Sequence, residues 1–567
     1  MAFIFKIFKN SENPTTITPK KTVTLIIIFF TLTILILASF LKGFSLVSNG
    51  NVQEQEFTHS STPNLIVNLA CTRTLYPSLC LKTLSSIQIP KNSATFGHIL
   101  EFTINETEKS VATARKHVTG LLGFQDLISQ EKIALRDCLE MLDQTRYELG
   151  QAPDDLQVFS ASNLKTLLSA AMTNQHTCID GFSDLDRSDF KNQKGLKSKI
   201  QDLFSPITGM ISNCLSIITY MESVTDEDIK TVQERKKFVK WFPRNRFHPR
   251  MGSNIRPNIV VARDGSGNCS LIGEAIEMAP NGSRHRFVIK IKAGVYNETV
   301  NVPREKTNIM LIGDGMSRTV ITGSKNFVDG FSTFDSATLT VAGDRFLARD
   351  LTIINTSGPY KFQAVAARVT SNSAFYRCNF SSYQDTLFAH SLRQFYRECT
   401  IQGTIDFIFG NAAAIFQHCL IRVRVPIPGQ RNMITAQGRR DPNQNTGFSF
   451  QNCTITAAAD LNARKGQNIS TFLGRPWGNY SRTMLMNSYL GKLIHPQGWY
   501  KWDNYSTLDT VQYIEHLNYG PGSSTRYRVS WRGFTKNCSE DIVKQFTVGR
   551  FLHEADNWFE STGFTAS

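Results

Sequence analysis

Two aspartates, Asp385 and Asp406, occupy equivalent positions in two similar stretches of the sequence. Asp385 lies 7 residues after Cys378, and Asp406 lies 7 residues after Cys399. The first stretch reads FYRCNFSSYQDTLF and the second reads FYRECTIQGTIDFIFG, and a third, FQHCLIRV around Cys419, follows 20 residues further on. The repeat predicts that equivalent positions stack on one another, which brings the two carboxyl groups together.

Two stacked carboxyl groups would be separated by about the 4.8 Å spacing between neighbouring strands. Because two negative charges at that distance disfavour each other, one group keeps its proton while the other stays ionised. Such a pair supplies an acid and a nucleophile or base from one residue type. Coupled groups titrate together, so the spacing alone does not assign the two roles.

A repeated β structure must position these aspartates. After residue 258 the sequence consists of short β-branched and aromatic runs, such as NIMLIGDG, ATLTVAG and GFSFQNCTITA, separated by glycine, asparagine and aspartate. Repeats of about 20 residues without long helices between them predict a parallel β-helix. A β-sandwich also has many short strands, but the repeated cysteine phase favours the solenoid.

Amide side chains accompany the aspartates. Gln363 precedes Gln384 by 21 residues, about one coil, which places an amide in the layer next to Gln384 and Asp385. Amide donors near an aspartate nucleophile can hold the oxyanion of a tetrahedral intermediate. Glutamine ladders also stabilise solenoids without catalysis, and both interpretations of Gln363 stay open here.

Motifs of several other reaction classes are absent from the sequence. It contains no GxSxG elbow, no HExxH, no GxxxxGK[ST] phosphate loop and no GxGxxG. It has no CxxC, and its cysteines are too scattered for a zinc site. We therefore expect no metal and no cofactor, and carboxylate chemistry with amide support remains.

The region from about residue 60 to residue 223 is predicted to be an amphipathic helical bundle. Apolar residues recur at steps of three and four in NLKTLLSAAM and in IALRDCLEMLDQ. Within this region CTRTLYPSLC closes a short loop, which favours a disulfide between Cys71 and Cys80, and Cys138 with Cys178 would tie two helices together. Cys214 is then left unpaired.

The 11 cysteines of the chain leave at least one thiol free. In the β region we expect Cys399 and Cys419 to bridge adjacent coils, because stacked Cα atoms fall within the roughly 4.4–6.8 Å that a disulfide allows. A bridge between Cys419 and Cys453 is an equal alternative.

The N-terminus carries an apolar run from Val23 to Leu41 without a charged residue, flanked by lysines. Its length approaches the roughly 20 residues that cross a bilayer as a helix, and the preceding positive charge marks the cytoplasmic side. Residues 1–50 are therefore predicted to hold a cytoplasmic tail and a signal-anchor or transmembrane segment (23–41), which directs the chain into the secretory pathway. Cleavage of this segment is left open.

A basic linker is predicted at residues 224–257. Nine basic residues and no acidic residue lie between Glu234 and Asp264. Three prolines in the segment oppose regular structure. A processing protease would find such a linker accessible, although an intact spacer or an arm that contacts an acidic polymer fits equally.

Composition supports a secreted protein with an acidic partner. The formal net charge of +15 indicates an anionic polysaccharide or a membrane surface before nucleic acid, whose binding motifs are absent. Sequons for N-glycosylation recur, for example at Asn105, Asn281, Asn297, Asn355, Asn468 and Asn504.

Five segments in the same order resemble the signature segments of plant pectin methylesterases. They are GVYNETV at Gly294, FQAVAARV at Phe362, YQDTLF at Tyr383, IDFIFGNA at Ile405 and FLGRPWGNYSRT at Phe472. The helical region with its CTRTLYPSLC start resembles the pectin methylesterase inhibitor domain. The whole chain is thus similar to the long form of the enzyme, in which an inhibitor-like pro-region precedes the catalytic domain.

The resemblance implies a right-handed parallel β-helix over residues 258–567, preceded by an all-α four-helix bundle over residues 60–223. It implies hydrolysis of the methyl esters of homogalacturonan in the plant cell wall, with release of methanol. It also implies an inhibitor-like interaction of the helical domain, within the chain or with another one.

The matching motifs imply roles for individual residues. Asp406 would be the nucleophile, and Asp385 would protonate the departing methanol and then activate water. Gln384 would stabilise the developing oxyanion.

The same motifs imply the residues that bind substrate. Gln363 would support Gln384, and Arg475 would hold Asp406 oriented, because a guanidinium fork matches a carboxylate. Trp477 would stack on a sugar ring and Thr333 would contact the substrate. A structural alternative for Arg475 is a packed corner in which it stacks on Trp477.

The chain departs from the family pattern at three places. The stretch around TSNSA is one residue shorter, which predicts a shift of Gln363 relative to Gln384. Phe362 stands where the family more often has histidine, and the linker lacks the usual Arg-Arg-Leu-Leu type of processing signal. A glycosidase on the same scaffold and a wall-binding protein with a silenced site are the rival functions.

Overall fold

Regular structure in this computed structural model falls into a helical region followed by a region of strands. The described residues are 63–85, 95–158, 160–182, 193–223, 255–464, 469–503 and 508–552. The predicted membrane segment at 23–41 and most of the predicted linker at 224–257 lie outside the described residues. The described helices and strands belong to one compact unit.

In the part of the chain that the structure describes, four long helices form the bundle, and two short helices precede them. Their bounds are α1 (Pro63–Thr72), α2 (Pro77–Leu84), α3 (Phe96–Leu122), α4 (Ser129–Val158), α5 (Ala161–Gly181) and α6 (Gln193–Ser223). Hydroxyl side chains define two of the starts. Thr95 accepts a hydrogen bond from the amide of His98 before α3, and Ser160 accepts one from Asn163 before α5, which satisfies donors that the first helical turn leaves free.

The two disulfides predicted for the bundle are confirmed. Cys71 is bonded to Cys80 with a Cα–Cα distance of 5.5 Å, and Cys138 on α4 is bonded to Cys178 on α5 at 4.6 Å. Cys214 on α6 is buried and has a free thiol. Within α6, residues Gly195–Ser223 are long and apolar enough to cross a membrane, but 67% of their apolar window is buried, so this is a core helix of the bundle.

The predicted parallel β-helix is confirmed by three parallel sheets in the described residues. The eleven-stranded sheet contains, in spatial order, β1 (Ile259–Val261), β2 (Phe287–Ile291), β5 (Ile309–Ile312), β8 (Phe346–Arg349), β11 (Ser373–Tyr376), β14 (Arg393–Arg397), β17 (Ala413–Gln417), β20 (Gly447–Gln451), β23 (Arg482–Met486), β25 (Gln512–His516) and β26 (Phe534–Lys536).

The other two sheets complete each coil. The eight-stranded sheet contains β24 (Tyr489–Leu490), β21 (Thr454–Ala457), β18 (Leu420–Val423), β15 (Thr400–Gly403), β12 (Asn379–Ser381), β9 (Thr352–Asn355), β6 (Thr319–Gly323) and β3 (Gly294–Asn297). The seven-stranded sheet contains β22 (Thr471–Pro476), β19 (Asn432–Gln437), β16 (Ile408–Gly410), β13 (Leu387–Ala389), β10 (Ala367–Val369), β7 (Leu339–Val341) and β4 (Val300–Val302).

Short helices decorate the β-helix. They are α7 (Ile272–Glu277), α8 (Ala459–Asn462), α9 (Glu540–Gln545) and α10 (Val548–Phe551). Glu298 of the GVYNETV segment accepts hydrogen bonds from the amides of Ile272 and Gly273 at the start of α7. Tyr296 of the same segment is buried. This segment therefore closes an early coil.

Equivalent side chains of successive coils stack inside the β-helix. Phe375, Tyr396, Phe416 and Phe450 are register neighbours in the eleven-stranded sheet, and their rings lie 5.1, 4.9 and 4.5 Å apart. Such a ladder buries large apolar surfaces on every coil and penalises a slip of register.

The repeated cysteines mark one corner of the coil. The residue before each cysteine has a positive φ, for example 49° at Arg377, 52° at Glu398 and 53° at His418. These residues lie between the eleven-stranded and the eight-stranded sheets, where the chain turns sharply. The cysteine phase in the sequence is therefore the phase of this corner.

The predicted bridge between Cys399 and Cys419 is wrong, and the alternative with Cys453 is also not formed, because all three thiols are free. Sγ of Cys399 instead contacts the carbonyl of Phe375 at 3.5 Å, and Sγ of Cys419 contacts that of Tyr396 at 3.3 Å. Burial raises the pKa of both thiols well above its usual value, which disfavours the thiolate that disulfide formation requires.

One of the sequon asparagines is buried in the fold. Asn355 is 2% exposed, and its side-chain amide donates to the carbonyls of Lys325, Ser336 and Val365. An asparagine that stabilises three backbone carbonyls inside the fold cannot carry a glycan in the folded protein.

Candidate active site

The outer face of the seven-stranded sheet forms a continuous column of side chains. Strand residues alternate between the core and the outside, and the register aligns one outward residue from each strand. The column is Asn301, Thr340, Arg368, Phe388, Phe409, Ala436 and Arg475. It thus has polar residues and a cation at one end, two aromatic rings in the middle and a second arginine at the other end.

The two aspartates flank this column on adjacent coils. Asp385 and Asp406 each lie two residues before the first residue of their strands, and those strands pair Leu387 with Ile408. The amide of Asp385 donates to the carbonyl of Ile405 at 3.0 Å. Both aspartates have a positive φ, 62° and 50°, and both are buried. The structure therefore places the two aspartates that the sequence aligned at equivalent positions on adjacent coils.

Arg475 binds Asp406 through two nitrogens on one edge of its guanidinium. Its Nε donates to Oδ1 at 2.8 Å, and its Nη2 donates to Oδ2. Burial lowers the pKa of Arg475, but the charge of Asp406 and, less strongly, that of Asp385 outweigh it, so the pKa is raised overall. A bidentate pair of this kind fixes the orientation of a carboxylate.

The alternative of a packed corner does not describe Arg475. Its Cζ lies 4.2 Å from the ring centre of Trp502, and Asp406 takes its hydrogen bonds. Trp502 and Trp477 stack with centroids 6.5 Å apart. Sequence reasoning missed Trp502, because no repeat or spacing links it to the aspartates.

The two glutamines pair despite the shorter loop between their coils. Gln363 and Gln384 form a parallel bridge, and the amide of Ala364 donates to the carbonyl of Gln384 at 3.2 Å. The predicted shift is therefore wrong: the TSNSA stretch lies between the two glutamines in the sequence, yet they remain register partners. Both amides are partly exposed beside Asp385.

The two aromatic rings of the column were not predicted from the sequence. Phe388 and Phe409 stack with centroids 4.2 Å apart, and Trp477 lies 6.5 and 6.2 Å from them. These rings form an apolar floor beside the carboxylates. Their signal in the sequence was the alternation within TLFA and FIFG, which places one phenylalanine outward in each strand.

Thr333 lies in the loop before β7. Its carbonyl accepts a hydrogen bond from Ser336 at 3.0 Å, and the neighbouring Ser332 donates to Asp137 of α4 at 2.5 Å. These contacts hold the loop against the helical region. The role of Thr333 in substrate binding stays a prediction.

The helical bundle lies on the outer face of the seven-stranded sheet. One hydrophobic cluster contains the bundle core together with β-helix residues of that face: Phe334, Ala337, Val365, Phe388, Phe409 and Ala436. Polar contacts surround it, including Asn411 with Thr173 at 2.9 Å, and Arg440 with Asp180 at 2.7 Å. The bundle thereby covers the aromatic floor beside the aspartates.

Buried titratable groups lie in this contact. Burial raises the pKa of Asp137 to about 7, although its hydrogen bond from Ser332 acts in the opposite direction. Burial lowers the pKa of His390 to about 3, and its Nε2 lies 2.8 Å from the hydroxyl of Thr177. The contact therefore favours a protonated Asp137 and a neutral His390.

Among the described residues, no group of three or more histidine, cysteine, aspartate or glutamate side chains is arranged to hold a metal ion. The chemistry available at the site is that of two carboxylates, an arginine and two amides. One oriented carboxylate beside a second carboxyl group can attack an electrophilic carbon and transfer a proton to the leaving group.

Comparison with known proteins shows relatives for both regions. The model of the family described as Pectinesterase matches residues 258–556, and that of the family described as Plant invertase/pectin methylesterase inhibitor matches residues 66–217. Pectinesterase 3 of Citrus sinensis is 44% identical over 522 residues, which cover 88% of each chain. Pectinesterase/pectinesterase inhibitor U1 of Solanum lycopersicum is 43% identical over 532 residues, which cover 90% of each chain.

A solved structure, pectin methylesterase from carrot, is similar to the β-helix. It is 50% identical and superposes with a TM-score of 0.55. The similarity covers 56% of this chain and 99% of that one. The carrot chain thus consists almost wholly of the part that corresponds to the β-helix.

Proposed function

The chain belongs to the pectinesterase family, and from that premise we propose that it hydrolyses the methyl esters of cell-wall homogalacturonan with Asp406 as nucleophile and Asp385 as acid and base. Water and pectin are consumed, and pectate and methanol are released. The observation that carries these roles is the bidentate grip of Arg475 on Asp406, with Asp385 at the equivalent position of the adjacent coil.

In the first half of the reaction, an Oδ of Asp406 attacks the ester carbonyl carbon. The carbonyl oxygen becomes an oxyanion, which the side-chain amides of Gln384 and Gln363 stabilise. The bond from the carbon to the methoxy oxygen breaks, and methanol leaves with the proton of Asp385. An anhydride between the galacturonate and Asp406 remains.

In the second half, Asp385 accepts a proton from water as the water attacks the galacturonate carbonyl of the anhydride. The bond to Asp406 breaks, and this aspartate and a galacturonic acid carboxyl group are restored. Arg475 keeps the nucleophile in place during both halves, because its two hydrogen bonds fix the carboxylate plane.

The different surroundings of the two aspartates support the proposed roles. Asp406 is held by a cation in two places, which suits a charged nucleophile. Asp385 lies beside the partly exposed glutamines, where methanol can leave and water can enter. Trp477 and Trp502 offer ring faces for sugar stacking, and Thr333 is proposed to contact the polymer.

The helical domain is proposed to inhibit the enzyme within the same chain. It covers Phe388 and Phe409, the floor on which a sugar chain beside the aspartates would lie. The chain is proposed to consist of an inhibitor-like domain at 60–223, a basic linker at 224–257 and a catalytic domain at 258–567. The chain is also proposed to be secreted to the cell wall and to carry a membrane segment at 23–41.

Methanol release tests the proposed function. The full chain, with a site for a specific protease inserted between residues 224 and 254, is compared before and after cutting; we call the second form the cut chain. Both disulfides lie within the helical region, so no disulfide seen among the described residues holds the two parts together after cutting. The β-helix part, separated from the cut chain, should release methanol from esterified pectin, and the uncut chain should release much less.

Asp406→Asn tests the nucleophile. We expect methanol release to fall at least about a thousandfold with the fold intact, because the amide cannot form the anhydride. Asp541→Asn is the matched control, since Asp541 is an exposed surface carboxylate. Full activity in Asp406→Asn would refute the assignment, and new reducing ends without methanol would favour a retaining glycosidase, whose carboxyl pair has a similar separation.

A further inference from the structure

At the end of the column remote from Arg475, two arginines depend on the helical domain for their hydrogen bonds. Both Nη atoms of Arg368 donate to Oε1 of Glu140 at 3.2 Å. Nε of Arg304 donates to Oε1 of Gln144 at 3.0 Å, and its Nη1 donates to the carbonyl of Asp143 at 3.1 Å. All of these acceptors lie on α4.

Arg368 lies on the outer face of the sheet and is buried beneath the helical domain. Its side chain is 5% exposed, and its Cζ lies over the ring of Phe334 at 3.3 Å. Its Nε is buried without a hydrogen-bond partner. A buried guanidinium with an unused donor is costly unless an anion pairs with it. When α4 leaves, Arg368 loses the hydrogen bonds to Glu140, and its guanidinium becomes accessible to another anion.

A cavity of about 800 Å³ lies beside these arginines, between α4 and the first coils of the sheet. Arg304, Lys325 and Arg368 line it as cations, and Glu305 and Asp335 line it as anions from the β-helix. Glu140 is a further anion, and it belongs to the helical domain. Departure of that domain therefore makes this end of the groove more positive.

The position of Arg368 suits contact with a sugar chain that lies along the column. Strand β10, which carries Arg368, is two strands away from β16, so Arg368 is separated from the coil of Asp406 by roughly 10 Å. Phe388 lies on the strand between them, and Phe409, stacked on it, lies on the coil of Asp406. A sugar chain whose ester lies at Asp406 would extend over these rings towards Arg368.

We propose that Arg368, assisted by Arg304, forms a subsite for the free carboxylate of a galacturonate residue that has already lost its methyl ester. Glu140 of α4 occupies this subsite in the intact chain, in the place of that carboxylate. The inference rests on the proposed function, because it takes homogalacturonan as the polymer. An arginine pairs with a carboxylate through two parallel hydrogen bonds, whereas a methyl ester offers no charge.

Calorimetric titration tests the subsite without relying on catalysis. The β-helix part separated from the cut chain is titrated with non-esterified hexagalacturonate and with its fully methyl-esterified counterpart at low salt. We expect Arg368→Ala to weaken binding of the acid at least about tenfold and to change binding of the ester less than twofold. Arg304→Ala should show the same pattern with a smaller change.

Arg368→Lys and Arg393→Ala serve as controls. Lysine keeps the charge but loses the fork, so its affinity for the acid should lie between those of wild type and Arg368→Ala. Arg393 also contacts the helical domain, through Asn163 at 2.6 Å, but it lies outside the column, so its loss should change neither affinity. Thermal unfolding verifies that each variant is folded.

The outcomes separate the subsite from the proposed function. Unchanged affinity for the acid in both Arg368→Ala and Arg304→Ala, or an equal loss for acid and ester, would overturn the subsite. A wild-type part that binds the acid through Arg368 but releases no methanol would contradict the proposed function and leave the subsite standing. A second readout is competition, since the acid should weaken association of the two parts in wild type and not in Arg368→Ala.

Discussion

Residues meet in different ways in the β-helix and in the helical domain. In the β-helix, positions about one coil apart are joined by a continuous hydrogen-bond register, so Asp385 and Asp406 occupy matching places on adjacent coils. In the helical domain, α4 and α5 meet through side-chain packing and the disulfide Cys138–Cys178. The aspartate site is held in place by the strands of adjacent coils. The surface of the helical domain, in contrast, keeps its shape only while the helices stay packed together.

Removing the disulfide between Cys138 and Cys178 should give the largest effect on stability. Replacing Cys138 and Cys178 by alanine opens a loop with a sequence separation of 40. A loop of that length is worth about 4 kcal/mol in the free energy of unfolding. We expect the helical signal in circular dichroism to melt at a clearly lower temperature.

Cys399→Ala is the matched control for the β-helix. It makes the same kind of change at a buried free thiol, and we expect a loss of about 1 kcal/mol. If both variants lost the same free energy of unfolding, the comparison would be contradicted, because the disulfide would then add nothing to the stability of the bundle.

Arg475→Ala should give the next largest effect, seen in catalysis. The nucleophile loses the two hydrogen bonds that orient it, and misplacement of a reacting group costs about a hundredfold in rate. We expect kcat for methanol release in the separated β-helix part to fall by that factor, with a smaller change in KM. A loss below threefold would show that register alone holds Asp406.

Asp137→Asn should change how association of the two parts depends on pH. The pKa of Asp137 is raised to about 7 in the docked state, first of all by burial, with Asp335, Arg368 and Glu140 as charged neighbours. The docked state therefore binds the proton more tightly. This contribution to docking is complete below the ordinary aspartate pKa of about 4 and is lost as pH rises to about 7.

The variant isolates this contribution from those of other groups. His390, with its lowered pKa, acts in the opposite direction below about pH 6.5, so the difference between wild type and Asp137→Asn is the quantity to measure. Dissociation constants of the cut chain from pH 4.5 to 7.5 should rise more steeply in wild type, by about a hundredfold over the range. Parallel curves would contradict a role for Asp137.

Phe362→His should have the smallest effect. Phe362 is 42% exposed with a φ of 57°, and it precedes the coil position at which Gln363 pairs with Gln384. Restoring the commoner histidine should change stability by less than about 0.5 kcal/mol, as is usual at exposed positions. Methanol release should change less than twofold, and a tenfold change would show that this side chain contributes to the site.

Local repetition made much of the fold predictable. The cysteine phase identified the coil, and helical periodicity identified the bundle with its two disulfides. The same reasoning failed for Cys399 and Cys419, because stacking sets only the Cα spacing. These thiols remain unbonded: burial raises their pKa, and their sulfur atoms contact backbone carbonyls.

The sequence likewise predicted one part of the candidate site and missed another part. The spacing of the repeats was enough to align Asp385 with Asp406 and to place Gln384 beside them. Trp502 and Arg368 escaped notice because their partners are remote in the sequence. Arg368 reaches Glu140 across 228 positions, which no local pattern reports.

The sequence by itself determined the coil, the bundle and the pairing of the two aspartates, because these depend on periodicity and on spacing within one or two coils. Only the tertiary structure decided that the bundle lies on the aromatic floor, that Arg475 turns to Asp406 rather than to Trp477, and that Arg368 meets α4. Those contacts join segments that are remote in the sequence, and their energy comes from shape and charge complementarity that no single segment encodes.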